Sequence, residues 1–225
     1  VGCVNVRRGR GRTILYKLDG CGNVLEGATN KLVLDTVGEF TWEDTITDGD
    51  EVTERNFAGQ KIYSDRGDDE ITDIAVNLTH LGLNPSVEVF LTAATAKTDG
   101  GAIVGYGRND LDAAAGVAVE VLVQLPADAC AEGATAAPVA GWFFPLVRNW
   151  RTSGGNTFNG TDLLKPQFAG RGYKNENIFG GSVSDADFAK WSTIHVAGTE
   201  WYTGRVFDGE TVTLPDASCE PVALS

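Results

Sequence analysis

Between Glu39 and Asn56 the chain reads EFTWEDTITDGDEVTERN and sets seven carboxylates, Glu39, Glu43, Asp44, Asp48, Asp50, Glu51 and Glu54, before its first base, Arg55. Carboxylates at this density can do two kinds of chemistry. A pair held about 5 to 9 Å apart across a cleft can hydrolyse a glycoside. A row of them along one face repels polyanions, because binding to nucleic-acid backbones rests on Lys and Arg neutralising phosphates. In a chain with 31 Asp and Glu some pair always meets the first condition, so the pairing is unspecific. The row is more informative, against the plain alternative of a solvated hairpin on an acidic protein.

Other chemistry-bearing residues are sparse. There is no GxSxG elbow, P-loop, HExxH or EF-hand pattern. His80 and His195 are isolated, and each reads as structural. Cys3, Cys21, Cys130 and Cys219 are scattered without a CxxC pair. A structural zinc site is therefore not expected. They read as mostly free thiols of a reducing compartment, with one or two disulfides left open. Trp42, Trp142, Trp150, Trp191 and Trp201 suit cores or subunit interfaces, and a sugar-stacking platform is the alternative use. Nothing here points positively to catalysis, and no cofactor or metal is expected.

The acidic stretch has to be positioned by strands. Asp48-Gly49 at its middle is the usual signal for a two-residue type I′ turn. That turn pairs Thr47 with Asp50, Thr45 with Val52 and Glu43 with Glu54. One face then shows Glu39, Thr41, Glu43, Thr45, Thr47, Asp50, Val52, Glu54 and Asn56. The other shows Phe40, Trp42, Asp44, Ile46, Glu51, Thr53, Arg55 and Phe57. Glu43 opposite Glu54 is an unfavourable like-charge pair in an isolated hairpin.

Further strands are predicted at 13–18, 31–36, 60–64, 71–81, 103–108, 117–125 and 163–173. In the 71–81 run, Ile74, Val76, Leu78 and His80 share a face. The aromatic segment GWFFPLVRNW at 141–150 contains Pro145, which implies an edge or an interrupted strand. A helix starts at Asn84, a good N-cap, with Pro85 at its first position. Val87, Phe90, Leu91 and Ala94 form its apolar stripe, and Asp99-Gly100-Gly101 is expected to stop it. A short helix capped by Ser184 is predicted over 185–191. A last hairpin turns at Asp208-Gly209, between 201–207 and 211–214. The predicted class is mainly β: two packed antiparallel sheets, a β-sandwich or incomplete barrel, with one flanking helix and the long acidic hairpin. The organisation reads as a basic arm over 1–12, a sandwich domain over 13–181 and a C-terminal extension over 182–225.

The formal charge of −13 disfavours free binding to nucleic acid. Yet Arg7, Arg8, Arg10 and Arg12 stand in the first dozen residues without one acid. A basic arm on an acidic body fits contact with a neighbouring copy. A disordered tail and a nucleic-acid arm are the other readings. No apolar run approaches a membrane span of about 20 residues, and no apolar leader-like segment lies near Val1.

In order along the chain come Tyr16-Lys17-Leu18-Asp19-Gly20-Cys21-Gly22, the acidic hairpin closing on Glu51-Val52-Thr53-Glu54-Arg55-Asn56-Phe57-Ala58-Gly59-Gln60, Leu83-Asn84-Pro85, Val117-Ala118-Val119-Glu120-Val121, and Trp142-Phe143-Phe144-Pro145. This order resembles the major tail (tail tube) proteins of long-tailed actinobacterial phages, as far as about Asn175. The resemblance implies a non-enzymatic virion protein, assembled in the host cytoplasm into stacked, hexameric rings. The rings enclose a channel through which double-stranded DNA passes at ejection without tight binding. It also implies tape measure, tail terminator and distal tail proteins as partners, and no membrane. On this reading Glu39, Thr41, Glu43, Thr45, Asp50 and Glu54 line the lumen. Arg7, Arg8, Arg10, Arg12 and Trp42 make subunit contacts, and Phe40, Trp42, Ile46 and Phe57 pack on the sandwich. The competing expectations are a tail terminator or capsid decoration protein, a carbohydrate-binding β-sandwich, and a glycoside hydrolase.

Overall fold

A computed structural model describes residues 11–108, 116–125, 137–153, 165–180, 186–207, 212, 214–218 and 221–224. Its elements are Gly11–Lys17 (β1), Gly27–Leu34 (β2), Val37–Thr47 (β3), Glu51–Arg55 (β4), Lys61–Arg66 (β5), Glu70–His80 (β6), Pro85–Thr92 (α1), Thr95–Asp99 (β7), Ala102–Gly107 (β8), Val117–Gln124 (β9), Val139–Ser153 (β10), Gln167–Gly172 (β11), Ala186–Ser192 (α2), Thr203–Phe207 (β12) and Val222–Leu224 (β13). One antiparallel sheet runs β13-β2-β1-β9-β10-β11-β6-β3, with β12 also paired to β10. The expected mainly β architecture of packed antiparallel layers with a flanking helix is what forms. Among the described residues no barrel closes, because β3 and β13 end the sheet path.

The sheet becomes two layers because β10 changes phase. Along its first half, Val139 and Phe143 enter one core and Phe144 enters the other. The pairing slips between Phe144 and Val147, at Pro145, and again between Arg148 and Arg151, where Asn149 has φ 57°. After the first slip the alternation reverses: Leu146 joins the first core and Val147 the second. Each extra residue in a bulge moves the following side chains to the opposite face and bends the strand. The second half of β10 then carries β11, β6 and β3 over as the other layer. Pro145 signals this interruption in the sequence, in a strand that is central and not at an edge.

The second core lies between the layers. It joins Leu15, Leu32, Leu34, Val117 and Val119 to Ile74, Val76, Leu78, Phe144 and Phe168. Helix α1 caps it with Val87, Phe90 and Leu91, as the apolar stripe predicts. Asn84 is the N-cap and accepts from the Ser86 amide at 2.9 Å. The helix is shorter than expected, ending at Thr92 with Ala93 left-handed. Asp99-Gly100-Gly101 does not stop it. Gly100 and Gly101, at φ 59° and 90°, instead turn the β7–β8 hairpin, whose Thr-rich first strand has no apolar helical stripe left to bury. Buried Glu88 on α1 holds that hairpin through Arg108 at 2.7 Å.

The first core lies on the other side of β1 and β9, so these strands are buried on both faces. It contains Ile14, Tyr16, Leu122 and Phe143, and it is covered by Phe188 and Trp191 of α2, by Phe207 and by Val212. The stretch expected as a separate C-terminal extension is therefore part of the body. β12 pairs with Val139–Phe143 of β10 and β13 pairs with β2, and Trp191 is wholly buried. The expected cap Ser184 and turn Asp208-Gly209 lie outside the described residues. Removing α2 would bare Phe143 and Tyr16, which explains why the segment cannot be set aside.

A buried polar group ties α2 to the sheet. Glu120 of β9 is fully buried, receives the Tyr16 hydroxyl at 3.0 Å and faces the Lys190 ammonium at 2.5 Å. Burial pushes the Glu120 carboxyl above its usual range, while Lys190 pulls it down. Removing one partner of a buried ion pair typically costs about 3–5 kcal/mol. Lys190→Met should therefore destabilise the fold at neutral pH by an amount approaching that range, and Glu120→Gln combined with Lys190→Met should recover most of the loss. Because the folded-state pKa lies above the ordinary 4.5, the stability of Lys190→Met should fall as pH rises above 4.5. Urea titrations of the three proteins across that range test both statements.

Candidate functional site

The acidic stretch does form a long ribbon, but with different pairing from the one its Asp-Gly step predicts. β3 pairs with β6, so that Phe40 faces Leu78, Trp42 faces Val76 and Asp44 faces Ile74. β4 pairs with β5, with Glu54 opposite Tyr63. The chain therefore runs outward through β3 and β4, turns at 56–60 and returns through β5 and β6. The reason is burial. A type I′ turn at Asp48-Gly49 would set Ile46 opposite Glu51, Trp42 opposite Arg55 and Phe40 opposite Phe57, on a ribbon with no core beneath it. Pairing with β6 sets Phe40 and Trp42 beside Leu78 and Val76, over the second core.

Gly49 has another use. A Cβ built there falls on the Gly67 carbonyl, because the two legs of the ribbon approach closely at this joint. The Gly67 amide donates to the Asp50 carbonyl at 3.0 Å, and the Gly49 amide donates to the Asp69 carboxylate at 3.1 Å. The true turn is Asn56-Phe57-Ala58-Gly59. The Asn56 side chain accepts from the Ala58 and Gln60 amides at 3.0 and 2.9 Å, and Gly59 has φ 76°. Asn at the first and Gly at the fourth position is the type I signature, with a left-handed glycine closing the three-residue loop. The sequence carries that signal too, eight residues after the Asp-Gly step.

Four of the six residues expected to line the lumen do share a face. Glu39, Thr41, Glu43 and Thr45 alternate outward along β3 and are exposed. The register continues this face across the neighbouring strands. Thr79, Asn77, Ala75 and Asp73 follow on β6, and Gln167, Ala169 and Arg171 on β11. These three strands carry no large apolar side chain on this face, and Arg171, 3.4 Å from Asp73, is the one base they place there; the register then brings Arg148 and Arg151 of β10 alongside β11. Asp50 and Glu54 are not part of it. They belong to the outer ribbon, so the expected Glu43–Glu54 repulsion does not arise. Glu51, at that ribbon's base, accepts from Thr53, Lys61 and Ser64, and bonds from Lys61 and Ser64 hold its carboxyl below the usual range.

The outer ribbon has no core. Every residue of β4 and β5 is exposed. Phe57 is wholly exposed, and Ile46, Val52, Ile62 and Tyr63 are each more than half exposed. This corrects the expectation that Ile46 and Phe57 pack on the sandwich. Phe40 and Trp42 do pack there, in a ring cluster with Trp142, Phe144 and Tyr202 at centroid distances of 5.4 to 6.2 Å. Trp42, expected at a subunit contact, is thus engaged with its own chain while one side still lines a groove. Arg12 donates from Nε to the Pro215 carbonyl at 3.0 Å. Arg7, Arg8 and Arg10 lie outside the described residues.

The remaining chemistry-bearing residues are built into the fold. His80 bridges the Thr36 hydroxyl at 2.6 Å and the Gly82 carbonyl at 2.9 Å. His195 meets both the Thr203 hydroxyl (2.8 Å) and the Glu200 carboxylate (3.3 Å) through Nδ1, and burial holds its pKa below the usual value. A nucleophile relay needs those partners on opposite ring nitrogens. The tryptophans divide between the two cores and form no common platform: Trp191 is in the first, and Trp150 is in the second with Trp42, Trp142 and Trp201 at its margin. Among the described residues no His, Cys, Asp and Glu group could hold a metal, and Cys21 is a free, exposed thiol. Cys3, Cys130 and Cys219 lie outside them. No helix among the described residues is long and apolar enough to cross a membrane.

Compared with protein-family models and with curated protein sequences, the chain matches none.

The joint at Gly49 controls the outer ribbon alone. Gly49→Val should raise amide hydrogen exchange across β4 and β5 by at least about tenfold, as the legs are forced apart, and leave the exchange of β1 and β9 unchanged. Equal protection of β4 and β5 in the two proteins would contradict the role assigned to this glycine.

Proposed function

We propose that this chain is the structural subunit of a phage tail tube, which self-assembles into stacked hexameric rings around a channel that passes double-stranded DNA. The observation that carries this reading is the hydrated acidic face of β3, β6 and β11, which lies on a layer ending in an uncovered edge. β3 presents eleven residues whose outer backbone groups pair with no other strand among those described. Natural proteins rarely leave so long an edge open. Ring closure joins such edges between copies and turns their outward faces into a common wall.

On this reading Glu39, Thr41, Glu43 and Thr45 face the lumen. Carboxylates and small polar groups there keep phosphates from sticking, so DNA slides past. No catalytic residue or cofactor is required, and tape measure, terminator and distal tail proteins are the expected neighbours in the virion. The resemblance of the motifs between Tyr16 and Pro145 to tail tube proteins supports the same reading.

Phage carrying Thr41→Lys with Glu43→Lys should assemble tails of normal length but eject DNA more slowly, and added salt should relieve the defect as it screens the new contacts. Ejection at the normal rate, independent of salt, would remove these residues from the channel.

A further inference from the structure

The coreless ribbon and an aromatic groove on the same chain are complementary. The groove, of about 710 Å³, opens beside β3 where the two layers part, and Leu34, Asp35, Glu39, Phe40, Trp42 and Trp142 are among the residues lining it. Its aromatic walls are half-buried. Arg12 also lines it, with its guanidinium donating to the Pro215 and Gly11 carbonyls, and Asp35 and Glu39 stand exposed at its mouth with no ion pair among the described residues. The ribbon tip is its chemical opposite. Residues 55–61, RNFAGQK, hold two bases and no acid in a chain of net charge −13; Lys61 pairs with Glu51 at 2.9 Å, and Arg55 forms no ion pair among the described residues. At the apex Phe57 is entirely exposed.

We propose that the tip of each copy docks into the groove of the next copy, with Phe57 against Trp42 and Trp142 and with Arg55 facing Asp35 and Glu39. The inference rests on the tube reading and adds to it a specific joint between subunits. Its basis is geometric as well as chemical. Trp42 and Phe57 lie fifteen residues apart on an extended ribbon, about 50 Å at 3.3 Å per residue. Phe57 is wholly exposed in its own chain and does not enter that chain's groove, so the contact is with another copy. A contact between two different patches is heterologous, and it propagates as a ring or a helix of copies. A buried aromatic anchor with a charged rim is also the usual anatomy of a strong protein contact. The docking takes Asp50 and Glu54 away from the lumen and makes them part of a subunit connector.

The test is a charge exchange in the full-length protein, read by sedimentation velocity and electron microscopy over a concentration series. Arg55→Glu should raise the concentration needed for assembly at least about tenfold. Asp35→Lys with Glu39→Lys should do the same, and combining all three should restore assembly. Phe57→Ala should weaken assembly without changing the melting temperature of the monomer. Tubes that form from Arg55→Glu, from Asp35→Lys with Glu39→Lys and from Phe57→Ala as readily as from the wild type would overturn the docking and leave the tube reading standing. A wild type that stays monomeric throughout would overturn both. Binding of Phe57 to anionic lipid vesicles, lost in Phe57→Ala, with no effect of any exchange on self-association, would assign the tip to a membrane and also overturn the docking.

Discussion

A pair of strands with water on both faces has little to offset the entropy of ordering its backbone. β4 and β5 are such a pair, held by their own ladder, by the Asn56 turn and by the bonds that Glu51 gathers from Lys61, Ser64 and Thr53. The rest of the molecule is arranged so that this ribbon can exist. β3 and β6 anchor its base by burying Phe40, Trp42, Ile74, Val76 and Leu78 over a core, and Gly49 lets the legs close up where that support ends. What lies beyond the joint is unfinished in a single copy. In the proposed tube a neighbouring copy completes it.

The same logic runs through the body. Two slips in β10 let one sheet fold over itself, and this creates the core between the layers, with β3 as the open edge of one layer. A sheet that continued flat would enclose no such core. Because β1 and β9 are then buried on both faces, a second cover is required, and α2 with the chain after it supplies it. The buried Glu120–Lys190 pair sits at that junction. Such a pair adds little net stability but penalises any packing that separates its members. It fixes where α2 docks.

Much of this is legible in the sequence wherever one periodicity is strong. The outward set Glu39, Thr41, Glu43, Thr45 and the inward set Ile74, Val76, Leu78, His80 both follow from alternation alone. Asn84-Pro85 gives the helix start, and Pro145 the break in β10. Partner choice is not legible. Two turn signals, Asp48-Gly49 and Asn56 to Gly59, compete within a dozen residues, and the dipeptide is locally the stronger. The decision is made at long range, by the apolar face of β6 some thirty residues on. The Asp99-Gly100-Gly101 step shows the same limit, since a helix stop and a hairpin turn use the same residues. The wholly exposed Phe57 could not be foreseen, because an aromatic in a strand pattern normally turns inward.

The central claim is that the ribbon and open edge of this chain are completed by further copies of itself. Negative-stain electron microscopy of the purified full-length protein across a concentration series tests it most directly. Rings that stack into hollow tubes of uniform width as concentration rises are the predicted result. Dispersed single particles at every concentration would contradict it.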